Sequence, residues 1–201
     1  MRLLKQYYFC GKIKKATNYY NFKYHNNNTP AITEYYETGQ NQIEYFYKNG
    51  EIHRDDDKPS IIEYAINGKI ESETYYKNGE IHRINNPAYT SYYESGKIKR
   101  QRWFINGKFC NNNNTEPASI KFYESGNIKS KNWFKDGNQH RDNEPAGIYY
   151  YENGKIHKQH WFKDGKFHRD NEPATIDYYE NGKLHNDNNY SVEAFYENGN
   201  I

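Results

Sequence analysis

The tripeptide His-Arg-Asp occurs three times, at 53–55, 140–142 and 168–170, with a degenerate copy at His82-Arg83-Ile84. An imidazole beside a carboxylate is the pairing from which general bases are made, and His-Arg-Asp begins the catalytic loop of protein kinases. That loop also needs an asparagine five residues beyond the aspartate. Ser60, Gly147 and Thr175 stand there instead, and neither a glycine-rich phosphate loop nor Asp-Phe-Gly accompanies them. A catalytic centre further requires different groups converging on one point. Here the same groups recur in a row, so no catalytic residue is assigned and an enzyme is not expected.

A ladder of metal ligands is the other chemistry these residues suggest. His25, His53, His82, His140 and His168 hold equivalent places in the chain. If successive copies lie two strands apart, they are separated by about 9.5 Å. Metal–imidazole bonds are only about 2 Å long, so neighbouring copies do not share an ion. Cys10 and Cys110 lie far apart, match no metal spacing, and read as free thiols of a reducing compartment. No metal and no cofactor is expected. The bland alternative for His-Arg-Asp is that it closes a loop by local hydrogen bonds.

What positions these residues is a repeat. All six prolines fall in register, at 30, 59, 87, 117, 145 and 173. A glycine follows each proline by nine residues, and a second glycine follows eleven later in every repeat except the sixth. Repeats therefore start near residues 2, 30, 59, 87, 117, 145 and 173, with a truncated last one over 190–201, and 1–201 reads as a single repeat domain.

Each repeat has a physical reading. ATIDYY (174–179) is rich in strand formers and starts after a proline, which a strand tolerates at its first residue. ENGK (180–183) supplies Asn-Gly, the preferred type I′ hairpin turn. With that two-residue turn, Glu152 faces Lys155, and Tyr151 pairs with Ile156 on the return strand KIHKQHWF (155–162). KDGKFHRDNEP (163–173) is then a longer connection to the next repeat. The prediction is an all-β, elongated, single-layer antiparallel meander of stacked hairpins. About 15 short strands at about 4.8 Å each would span roughly 70 Å.

Composition agrees. One valine and three leucines are set against 23 tyrosines, 10 phenylalanines and 3 tryptophans, which suits a thin sheet packed by amphipathic rings. The formal charge of +2 does not call for a nucleic acid. The N-terminal residues lack a signal-peptide core and no run is long enough to span a membrane, so an intracellular, cytoplasmic protein is expected.

The alternation of WF-KDG-K, a strand, and YY-ENG-K resembles the MORN repeat, in particular its longer NGK-x-H-R-x-D-G-P-A variant, over essentially the whole chain. The resemblance implies a single-layer sheet of stacked hairpins with a structural or interaction role. Chains of this variant occur in bacteria, some described as antitoxins, and in large DNA viruses. The usual Gly-x-Gly after the histidine is replaced by DNEPA at 170–174.

Two surfaces are candidates for binding. Tyr75, Trp103, Trp133 and Trp161 occupy one row, with Tyr92, Phe122, Tyr150 and Tyr178 on the same face. These rings either hold the sheet together or line a groove for a partner. Lys97, Lys99, Arg100, Arg102, Lys129 and Lys131 form a candidate basic stripe. The reading is a non-enzymatic structural or protein-interaction repeat. Its partner is a protein, or a second copy of the chain through the sheet edges. Peripheral binding to anionic lipid, or antitoxin-like inhibition of an enzyme, is the alternative; a nucleic acid or small-molecule substrate is not expected.

Overall fold

In the computed structural model, residues 2–21, 23–25, 29–109 and 115–185 are described. Every element among them is a strand. The chain divides into two units, residues 1–98 and 99–201. In the first, Arg2–Tyr7, Ile13–Tyr20, Ile32–Tyr35, Asn41–Tyr45, Ile61–Tyr64, Ile70–Thr74 and Tyr89–Tyr92 follow chain order, each antiparallel to the next. In the second, the order is Ile98–Arg102, Ser119–Phe122, Ile128–Asn132, Gly147–Tyr150, Ile156–His160 and Thr175–Asp177. Neighbours in sequence are neighbours in the sheet, and the sheet stays open. This is the antiparallel meander of stacked hairpins that the repeat predicts.

The long connection contains more order than the sequence suggests. Phe162–Lys163 and Lys166–Phe167 form a second, two-residue hairpin after the main strand, as do Tyr47–Lys48 with Glu51–Ile52 and three further pairs. The return strand accordingly ends at His160, and Trp161 breaks the ladder before the short hairpin begins.

The two kinds of turn exchange roles relative to the expectation. At Lys163-Asp164-Gly165-Lys166, Asp164 and Gly165 have φ of 51° and 82°, the signature of a type I′ turn. At Tyr151–Lys155 only Gly154 has positive φ, at 85°. Gly154 donates its N–H to Tyr151 and Tyr151 donates to Lys155, so the loop has three residues with a bulge. Register therefore shifts by one: Ile156 pairs with Tyr150, and Tyr151 lies across from Lys155.

The small residues after the repeat prolines are among the most deeply buried. Ala31, Ser60, Ala88, Ala118 and Ala146 are fully buried and Ala174 nearly so, each immediately following a repeat proline. Their carbonyls accept the N–H of the ring residue that precedes them in sequence: Phe46 to Ser60, Trp133 to Ala146 and Trp161 to Ala174. Turn tyrosines tie one repeat to the next. The hydroxyls of Tyr36 and Tyr151 donate to the carbonyls of Tyr64 and Tyr178 at 2.8 Å.

Candidate functional site

Each His-Arg-Asp sits where a short hairpin returns to the main strand. The histidine N–H closes that hairpin, donating to the carbonyl of the ring residue that opened it: His53 to Phe46, His140 to Trp133, His168 to Trp161. The Nδ1 of His25, His53 and His140 accepts the turn N–H of the following repeat's short hairpin. Asn49 donates to His25, Asn78 to His53 and Asp164 to His140, each at 3.1 Å. For His53 an accepting Nδ1 places the ring proton on Nε2, which faces Asp55 Oδ1 at 2.9 Å. Asp142 and Asp170 stand likewise beside His140 and His168, at 3.1 and 3.3 Å.

The arginine lies flat on an aromatic ring. The Arg54, Arg83, Arg141 and Arg169 guanidiniums stand 3.6, 3.7, 4.1 and 3.9 Å from the ring centroids of Phe46, Tyr75, Trp133 and Trp161. Nη1 of each donates to the carbonyl of the repeat proline, Pro59, Pro87, Pro145 or Pro173. Remaining donors meet carboxylates. Arg83 grips Asp57 with Nε and Nη2, both at 2.9 Å, while Arg141 and Arg169 pair with Glu144 and Glu172. Every member of the motif is thus engaged in loop closure or in joining one repeat to the next. Arrangements of this kind stabilise a loop.

The candidate aromatic surface divides. Trp133 and Trp161 are buried under their arginines, at 5% and 8% exposure, and Phe46, which the sequence reading did not select, is buried in the same way at 6%. Tyr75 and Trp103 are half-buried. Tyr92, Phe122 and Tyr150 are half-buried at the ends of main strands, and Tyr178 is half-buried just past Thr175–Asp177. The Tyr92 hydroxyl donates to Glu73 at 2.6 Å and Tyr178 to Gln159 at 2.8 Å. Their counterpart Tyr64 donates to Glu44, and burial together with that carboxylate pushes its phenol up to about 12. Burial and Glu73 push Tyr92 upward in the same way. The Tyr64 and Tyr92 phenols stay protonated and act as fixed donors.

The candidate basic stripe also divides. In the second unit the register places Arg100 and Arg102 on one face of the sheet, in line with Lys121 and Ser119. Lys131, opposite Ile120 and Ile148, belongs to the other face, and Lys99, two residues from Gln101, shares it. Lys129 extends over the Tyr123 ring at 5.0 Å, and Lys97 is exposed in its turn. Among the described residues no group of three His, Cys, Asp or Glu could hold a metal ion. Among the same residues no helix is long and apolar enough to cross a membrane. Cys10 is exposed and unpaired, while Cys110 and the truncated last repeat at 190–201 lie outside the described residues.

The family model of the MORN repeat variant matches residues 62–78, 88–106 and 147–166. Each match spans the two main strands of a hairpin, the turn between them and the first strand of the short hairpin that follows. No curated protein matches the chain.

Proposed function

We propose that this chain, which carries MORN repeat variants, is a non-enzymatic scaffold that binds a protein partner through its sheet. MORN repeats serve generally in contacts with proteins and membranes. One observation carries the reading here: the recurring groups that could do chemistry are spent on joining each repeat to its neighbour. His25 and His53 receive amides of the next repeat, and Tyr36 and Tyr151 reach carbonyls of the next. A stack built this way presents strand side chains that vary from repeat to repeat, which is how repeat proteins offer an extended binding surface.

The test is affinity capture of the tagged chain from its native source, followed by cross-linking and mapping of the linked lysines. The scaffold reading expects a protein recovered in near-stoichiometric amount and linked to strand residues such as Lys121 or Lys131. Capture of no protein would count against it. Salt-sensitive sedimentation with anionic vesicles in place of protein capture would favour the lipid reading instead.

A further inference from the structure

Cross-strand partners at one equivalent position of the repeats reveal an unbalanced pair. In the first unit Lys15 stands opposite Glu34, and their ion pair is 2.9 Å long. In the second unit Lys158 stands opposite Asp177 in the same way, at 3.2 Å. At the equivalent place two repeats earlier, Arg100 stands opposite Lys121. Like charges directly across a strand pair are destabilising. Neither side chain has an ion-pair partner among the described residues, and burial together with Arg100, Arg102 and Lys129 lowers the Lys121 ammonium from its ordinary value. The next residue along the row, opposite Lys121, is Ser130. It is 1% exposed and its hydroxyl has no hydrogen-bond partner among the described residues.

We propose that Arg100, Lys121 and the Ser130 hydroxyl form a seat for a carboxylate supplied by an acidic segment of a protein partner. The seat rests on the scaffold reading above and names the chemistry of the partner. Where the neighbouring strand supplies a carboxylate, the chain closes the pair internally; where it supplies a second cation, the carboxylate must come from outside. Arg100 and Lys121 are half-buried, not protruding. A side chain reaching into the row can meet them, whereas a flat layer of lipid headgroups meets exposed lysines first. Arg102, two residues along the same strand face, adds to the positive potential.

Hexaglutamate titrated into the full chain at low salt tests this. Wild type should bind and gain thermal stability through linkage. Lys121→Glu should weaken binding by about tenfold or more, as should Lys121→Gln to a smaller extent. Lys131→Glu makes the same charge change on the opposite face and should leave binding within about twofold of wild type. Because Lys121→Glu recreates the Lys15–Glu34 arrangement, with Arg100 in the place of Lys15, its unliganded melting temperature should equal or exceed that of wild type. The proposal is overturned if hexaglutamate does not bind or if both charge reversals weaken binding equally. Sedimentation with phosphatidylserine vesicles that depends on Lys121, without hexaglutamate binding, overturns it in favour of lipid. If a captured partner still cross-links to the sheet of Lys121→Glu with undiminished yield, the seat fails while the scaffold reading stands. If no partner is captured yet hexaglutamate binds as described, the scaffold reading fails and the seat stands.

Discussion

Arg169 covers the Trp161 ring at 3.9 Å and reaches the Pro173 carbonyl, so one side chain fastens the ring, the loop and the start of the next strand. Arg169→Ala should cost about 1–2 kcal/mol in urea unfolding, from the lost cation–π contact and hydrogen bond. Arg169→Lys should recover little of it, because an ammonium cannot lie flat on the indole and bond the carbonyl together. Wild-type stability in both variants would remove the arginine from the loop's architecture. A second residue sets a pH dependence. His160 lies against Tyr149, Phe162 and Phe167, and burial, reinforced by Lys158, lowers its pKa below the ordinary histidine value. Its depressed folded value means that the unfolded chain binds the proton first. Stability from this site is therefore complete above about pH 6.5. It declines as pH falls from there through the lowered folded value. Comparing melting temperatures of wild type and His160→Phe between pH 7.5 and 5 checks it: the variant should lose less on acidification, and parallel curves would exclude His160 as a source.

At the scale of the element, the decisive feature is the buried small residue after each proline. Ala146 is fully buried and its carbonyl accepts the Trp133 N–H. Ala146→Leu should destabilise by about 1–3 kcal/mol through overpacking, measured by chemical denaturation; a neutral effect would show that the line of alanines is not close-packed. The turns show what the sequence discloses and what it hides. Proline and glycine spacing reveals the repeat, the strand order and the all-β class, because those residues punctuate the chain wherever they stand. The turn types were legible too, but only by comparing repeats. Thr38, Ser95 and Ser125 occupy the place of Asn153, where a left-handed residue is unfavourable for them, while the other turn always offers Asn or Asp, at 49, 78, 106, 136 and 164. Asn-Gly alone suits both turns, so reading a single repeat put the two-residue turn in the wrong place and moved the register by one. The arginine-on-ring contact was hidden for another reason. Arg169 and Trp161 lie eight residues apart across a short hairpin that has only two residues per strand, too short to announce itself by alternation.

At the scale of the molecule, each repeat is held mainly by its neighbours, so stability should behave as a sum of local terms. Arg83 and Asp57 belong to adjacent repeats and form a two-point ion pair. In a double-mutant cycle, Arg83→Ala and Asp57→Ala should show coupling of about 0.5–1 kcal/mol. Arg83→Ala and Arg169→Ala, several repeats apart, should add within about 0.5 kcal/mol. Coupling of similar size for the distant pair would mean that the chain does not respond repeat by repeat. The central claim is that the chain works by binding a protein across its sheet, with His-Arg-Asp serving only to hold that sheet. Cross-linked affinity capture, run with wild type and with His53→Ala and His140→Ala variants that remain folded, tests it most directly. The account predicts the same partner in all three, linked to strand lysines. A partner linked only to the loops, and lost when either histidine is removed from a folded chain, would contradict it.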